Sequence, residues 1–277
     1  MTLEQTVARQ YAHGSLERDI FDALAAAGKN LNHLVPADLS PVDEFHIGGR
    51  QATVDFATEL GFKPGMLLLD IGAGLGGASR HFAYEHNCRV TGIDITEDYV
   101  RLAKTLARRV GLESEVAYLH GSALDLPFEP ASFDGAYMLH AGMNIREKSR
   151  LFQQIRRVLK PGALFGIYDV MREAGGAQLS FPLPWAATPG ASFVETPATY
   201  RRLLEDAGFI LRNERNRRAF AIDFFQQLRA RAAQAGGLPR LGLHLLMGES
   251  APQKIANMID NLERNLIAPV EMISAAV

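Results

Sequence analysis

Met66-Leu67-Leu68-Leu69-Asp70-Ile71-Gly72-Ala73-Gly74-Leu75-Gly76-Gly77 is the stretch whose reading decides the fold. Met66 to Leu69 is apolar and long enough for a buried strand, which ends on Asp70. Glycines at the density that follows remove Cβ atoms where a chain turns sharply, and they let a ligand touch backbone. Ala78 to Glu85 then suits a helix. A strand, a glycine turn and a helix start together leave unpaired N–H groups beside a crevice. A second apolar run, Arg89 to Ile93, ends in Asp94. That acid lies roughly twenty residues past the turn, where such folds set a carboxylate on ribose hydroxyls. Gly72, Gly74 and Gly77 alone fit Gly-x-Gly-x-x-Gly, a pattern shared with nicotinamide and flavin sites. A tight turn without a ligand is the bland alternative. Two strands ending in an acid at one sheet edge weigh against it.

Downstream, strand and helix alternate. Strands are expected at Leu67–Asp70, Arg89–Ile93, Val116–His120, Phe133–Leu139 and Ala163–Val170. Helices are expected at Ala78–His86, Glu97–Val110, near Leu124 and at Ile145–Leu159. Thr96 suits the N-cap of the second helix and Gly111 its C-terminal end. This order predicts an α/β fold, a Rossmann-like doubly wound, mostly parallel sheet with helices on both faces. Upstream, Met1 to Leu39 reads as helical, broken near Gly14-Ser15 and Gly28-Lys29-Asn30. It either caps an active site or pads the core. Pro41 to Arg50 reads as a loop and Gln51 to Leu60 as a helix.

Glu173 to Pro197 breaks the alternation. It carries Gly175-Gly176, four prolines and Trp185, the only tryptophan. A loop this long in a compact domain is usually functional or mobile, so it reads as an insertion after the fifth strand, over the carboxyl edge of the sheet. Trp185 is either packing or a substrate-pocket wall. A helix at Thr199–Ala207 and a strand at Phe209–Asn213 follow. Arg212, Arg215, Arg217 and Arg218 form a basic cluster, either a solvated strand end or a phosphate site. Helical pieces at Ala221–Ala235, Leu241–Met247 and Pro252–Asn265 flank a break at Gly236-Gly237, and Pro269–Ala276 suits a last strand, antiparallel at the sheet edge.

The bulk numbers set bounds. The 277 residues suffice for one large domain or a domain plus a small cap. A formal net charge of -2 argues against a general nucleic-acid binder. The single cysteine, Cys88, permits no intrachain disulfide and suits buried packing. There is neither a signal-peptide pattern nor an apolar run long enough to span a membrane, so a cytoplasmic enzyme is the expectation. No Cys/His/Asp grouping has metal-ligand spacing, and no metal is expected. Assembly as a homo-oligomer stays open.

Five motifs in order carry a resemblance. Leu69-Asp70-Ile71-Gly72-Ala73-Gly74-Leu75-Gly76-Gly77 comes first and Gly92-Ile93-Asp94-Ile95 second. Gly121-Ser122-Ala123-Leu124-Asp125-Leu126-Pro127-Phe128, Ser132-Phe133-Asp134 and Arg157-Val158-Leu159-Lys160-Pro161-Gly162 follow. The chain resembles the class I S-adenosylmethionine-dependent methyltransferases. It is similar to their small-molecule branch, which includes ubiquinone/menaquinone, sarcosine/dimethylglycine and phosphoethanolamine methyltransferases. The resemblance is close over about Phe45 to Val170 and loose elsewhere. With the pattern of the flanking residues it leads to the expectation of a helical cap at 1–40 and a methyltransferase domain at 41–277, with a lid at about 173–197 and a helical insertion at about 221–265. The resemblance implies S-adenosylmethionine as cofactor, S-adenosylhomocysteine as product and a small-molecule acceptor. Asp70, Gly72, Ala73, Gly74 and Gly76 would line the methionine part. Asp94 would accept from the ribose, with Ile95 on the adenine face and Ala123 and Leu124 flanking the ring. Ser122 stands where many relatives have Asp. Leu139 and His140 would face the sulfonium, and His46, Ile47 and Gly48, followed by Gly49, occupy the place of a cofactor-touching turn.

If the acceptor is an ammonium or a hydroxyl, a base must take its proton. His140 is the best-placed base, or else it shapes the pocket. Asn144, four residues on, suits orienting the substrate. Tyr11, Tyr168 and Trp185 are candidate substrate contacts, with Tyr137 beside them. Trp185 and the tyrosines suit a methylated-ammonium cage, whereas the arginine cluster suits an acidic acceptor. N-methylation leads, with hydroxyl and carbon centres open. The alternatives are a nicotinamide-dependent oxidoreductase on a similar fold and a cofactor-binding protein without catalysis.

Overall fold

The computed structural model describes residues 3–11, 14–173, 176–234, 237 and 239–277. Met1, Gly175, Ala235 and Gly236, each read above, lie outside the described residues. Five parallel strands form first: β1 (Leu67–Ile71), β2 (Arg89–Asp94), β3 (Val116–His120), β4 (Phe133–Leu139) and β5 (Leu159–Arg172). β6 (Phe209–Asn216) and β7 (Ile267–Ala276) complete a sheet of order β3-β2-β1-β4-β5-β7-β6. Strand order reverses at β1, between β2 and β4. Open α/β sheets bind ligands outside the carboxyl ends of the strands at such a switch point.

The helices are α1 (Leu3–Tyr11), α2 (Leu16–Ala26), α3 (Pro36–Asp43), α4 (Gly49–Leu60), α5 (Gly77–His86), α6 (Glu97–Arg109), α7 (Lys148–Val158), α8 (Pro197–Asp206), α9 (Arg218–Gln234), α10 (His244–Met247) and α11 (Ala251–Glu263). Apolar residues at helical spacing explain where they sit. Leu151, Phe152 and Ile155 of α7, with Tyr200 and Leu204 of α8, are buried in one core with β1, β4, β5 and β7. Phe56 and Leu60 of α4, Phe82 of α5 and Ala103 of α6 fill the other. Helices therefore cover both faces, as the alternation predicts. A third cluster joins α9, α11 and Trp185 to the ends of β5 and β7, and a fourth joins α2 and α3 to the outer side of α6.

Four expectations are corrected. The last strand is antiparallel but not at the edge: β7 lies between β5 and β6 and is buried along its length. Glu271 breaks its apolar run and suggests an edge, but Arg215 and Arg217 pair with that buried carboxylate at 2.9 and 3.3 Å. β6, with exposed polar residues, is the true edge, where charge blunts further pairing. Pro41 to Asp43, read as loop, belongs to α3, which begins with Pro36 at its first turn. Leu124 lies in a turn rather than a helix. Thr96 stands at the N-cap of α6 but makes no side-chain capping bond; the Asp94 carboxylate takes its amide instead.

Candidate active site

A cavity of about 960 Å³ opens at the carboxyl ends of β1, β2 and β4. Its floor is the glycine turn. Gly72 has φ +72°, and a Cβ there would meet that of Ala141 at 2.5 Å. Gly74 has φ +55° and open space where its Cβ would stand. Both positions favour glycine by backbone conformation. The amides of Gly72 and Ala73 donate to the Ile93 carbonyl, at 2.9 and 3.1 Å, and stitch the turn to β2.

Asp94 ends β2 half-buried at the cavity wall. Its two oxygens accept from the amides of Gly74 and Thr96, each at 2.8 Å. Burial raises its pKa, opposed by those amides. A carboxylate oxygen has about two acceptor positions, so each retains capacity for a hydroxyl. This fixed acceptor pair, beside a glycine-rich turn, fits a ribose diol. Ile95, Ala123 and Leu124 line the same cavity. Ser122 does not. Its hydroxyl accepts from the Leu124 amide at 3.0 Å and donates to Glu4 on α1, and Glu4 does line the cavity.

Asp70, one residue before the end of β1, is fully buried, and its carboxylate accepts from Ser79 of α5 at 2.6 Å. Burial pushes its pKa up to about 7 despite that bond. Gly76 lies under the cavity rather than on its wall. It stands at the N-cap of α5 with φ +80°, and its carbonyl accepts from Tyr118 at 3.2 Å.

At the end of β4, His140 has φ +49°, a strained value for a non-glycine residue. Its amide and its Nδ1 both bond the Tyr168 carbonyl, at 2.7 and 3.1 Å. That fixes the proton on Nδ1, so Nε2 accepts, and it takes the Ile47 amide at 3.3 Å. Burial, with the charge of His46 second, lowers its pKa to about 3. Both ring nitrogens are committed, so His140 ties β4 and β5 to the His46–Gly49 turn.

The turn has a buried polar core. Glu44 accepts from His46 Nε2 at 3.0 Å and from Thr53 at 2.7 Å, with Arg50 at 3.4 Å. Burial alone would raise its pKa, but bonds from His46 and Thr53 and the Arg50 charge hold it at about 2. His46, Ile47 and Gly48 line the cavity; a Cβ at Gly48 would run into the Phe220 ring.

Tyr11 of α1 reaches across the opening to Asn144, whose amide donates to its hydroxyl at 3.2 Å. Both line the cavity, as do Leu139 and Trp185. Tyr168 does not, which corrects its expected contact with substrate. It is 1% exposed, and its hydroxyl donates to the Ile47 carbonyl at 3.1 Å. Its position on β5 faces the α4 side of the sheet, beside Phe56. Tyr137 is likewise buried away from the cavity.

Sequence reading missed Glu4, Glu44 and the Phe220 wall. Glu44 had a signal, an acid two residues before His46. Glu4 and Phe220 had none, because more than a hundred residues separate each from its cavity neighbour.

Residues 69–167 match the methyltransferase domain family. The chain is 37% identical over 113 residues to a sterol 24-C-methyltransferase of Gibberella zeae, covering 41% of this chain and 30% of that protein. It is 30% identical over 137 residues to an O-methyltransferase of Aspergillus sclerotiorum, covering 50% of this chain and 52% of the relative. The chain thus spans from under a third to about half of these relatives. Among solved structures, phosphoethanolamine N-methyltransferase 2 of Haemonchus contortus is similar at TM-score 0.77 and 19% identity, covering all of this chain and 60% of that one. Geranyl diphosphate C-methyltransferase of Streptomyces coelicolor gives TM-score 0.71 and 16% identity, covering 100% and 98%. At these identities the structures show a shared fold.

Proposed function

We propose that this chain, with its methyltransferase domain at residues 69–167, binds S-adenosylmethionine in the β1–β2 crevice and transfers its methyl group to a small-molecule acceptor. When bound, that cofactor would supply an electrophilic methyl on a sulfonium, whose sulfur is a good leaving group, to an electron pair of the acceptor. The observation that carries the reading is Asp94, held by the Gly74 and Thr96 amides with acceptor capacity to spare.

The protein's tasks are alignment and exclusion of water. Holding two reactants in a near-attack geometry supplies about 7–11 kcal/mol in favourable cases. Gly72 and Gly74 let the cofactor approach the backbone, and Asp94 fixes the ribose. Ile95, Ala123 and Leu124 sandwich the adenine, and Glu4 brings a carboxylate to the place where Ser122 has none. Leu139 and His140 hold the end of β4 beside the sulfur, with His140 as a strut. α1 covers the opening, pinned by Tyr11 on Asn144 and by Glu4 on Ser122. Asn144 orients the acceptor once that pin is exchanged. The methyltransferase match favours this reading over a nicotinamide enzyme.

Thermal unfolding with added S-adenosylhomocysteine or NADH tests it. Ligand that binds the native state raises the midpoint. S-adenosylhomocysteine is expected to raise it and NADH to leave it in place; the reverse pattern would overturn the assignment.

A further inference from the structure

The cavity wall opposite the glycine turn comes from the last third of the chain. α9 supplies Phe220, Phe224 and Leu228, α11 supplies Met258, and Trp185 and Met143 adjoin them. These residues belong to or pack against the main apolar clusters of the fold. The polar side chains α9 brings to this wall, Asp223, Gln227 and Arg231, are exposed and bond one another at 2.7 and 3.3 Å. About 960 Å³ is near the top of the ~300–1,000 Å³ range for ligand pockets. It accommodates a second body beside a nucleoside.

Two polar kinds of acceptor lose their footing here. A methylated-ammonium cage needs free aromatic faces. Trp185 is 2% exposed with its indole N–H on Ser192 at 2.9 Å, and Phe220 already carries the Arg217 guanidinium at 4.2 Å. A phosphate or carboxylate needs free cations. Arg215 and Arg217 are spent on Glu271, Glu59 and Asp55, and Arg218 on the carbonyls of Leu262 and Glu263. None of them lines the cavity. Of the arginines that do, Arg50 pairs with Glu44 and Glu85, exposed Arg146 sits over the Phe193 ring, and exposed Arg231 bonds Gln227 at 3.3 Å.

Resting on the methyl-transfer reading above, we propose that the acceptor is a lipophile, a largely hydrocarbon molecule whose body lies against α9 and α11 while its reacting atom meets the sulfonium. The specificity residues are Phe224, Leu228 and Met258.

Trp185, the only tryptophan, reports occupancy of this wall. The experiment titrates the protein, with and without S-adenosylhomocysteine, against farnesol, estradiol, phosphoethanolamine and dimethylglycine, following Trp185 emission. Calorimetry measures S-adenosylhomocysteine separately. The expected result is a saturable change with at least one of the two lipophiles and none with the two polar compounds. Phe224→Asp should weaken the lipophile by about tenfold or more, the scale of one buried apolar side chain. Its S-adenosylhomocysteine affinity should stay unchanged, which also shows that it folds. Leu228→Asp, at a half-buried position, gives the same comparison should Phe224→Asp not fold. If neither lipophile binds, if a polar compound binds more tightly, or if both variants bind lipophile as wild type does, the lipophilic-acceptor proposal is overturned. Failure of S-adenosylhomocysteine to bind overturns the methyl-transfer reading instead, and the lipophile titration still decides the character of the wall.

Discussion

His140 holds a left-handed backbone conformation at the end of β4, and both of its ring nitrogens are used. A glutamine there keeps one donor and one acceptor but cannot titrate. His140→Gln is therefore expected to retain methyl transfer, with a kcat–pH profile like wild type between pH 5 and 8. His140→Ala should lose turnover, having no strut. A glutamine variant as inactive as the alanine variant, in a radiolabelled-methyl assay, would restore the base role. Asp70 makes a stability prediction. Its folded pKa, about 7, lies above the ordinary 3.8, so the folded state holds the extra proton between those values. Stability from this group is thus full below about pH 4 and is lost as pH rises through 7. The melting temperature of wild type minus that of Asp70→Asn should fall between pH 5 and 8. A flat difference would mean that burial does not perturb this carboxyl. Both residues were legible in the sequence as strand ends. The bonds that decide their roles were not, since Ser79, Ile47 and Tyr168 meet them only in the fold.

Among the elements, α3 and α5 show how the leading segment is tied to the glycine turn. Arg80 is fully buried and pairs with Asp43 at 2.6 Å, and its other amino group reaches Tyr118, which bonds Gly76. Gly77 permits the approach, since a Cβ there would stand 2.5 Å from the Asp43 carbonyl. Removing one partner of a buried pair leaves an uncompensated charge, at a cost of about 3–5 kcal/mol. Arg80→Ala should destabilise the protein by that amount in urea unfolding. A loss below about 1 kcal/mol, the level of a surface pair, would remove this tie from the account. β1 to β5 were readable because short apolar runs ended on acids or turns and alternated with helices. β7 was readable as a last antiparallel strand but not as an interior one, because the arginines that neutralise Glu271 lie on and just beyond β6, some fifty residues earlier.

For the whole molecule, the parallel sheet places its switch point at β1, and the glycine turn, Asp94, the end of β4 and the cap converge there. No described helix is long and apolar enough to cross a membrane. The glycine-turn side of the cavity was legible in the sequence, because its motifs are local. The opposite wall is assembled from α9 to α11, whose apolar positions read as ordinary helix until the fold brings them to the same cavity. The grip of the β1–β2 crevice on the adenosyl group through Asp94, proposed above, is measured directly by calorimetry of S-adenosylhomocysteine on wild type and Asp94→Ala. Saturable binding to wild type and a loss of about 1–3 kcal/mol in the variant, the cost of charged hydrogen bonds, are expected. Equal affinity in the two proteins would contradict that grip.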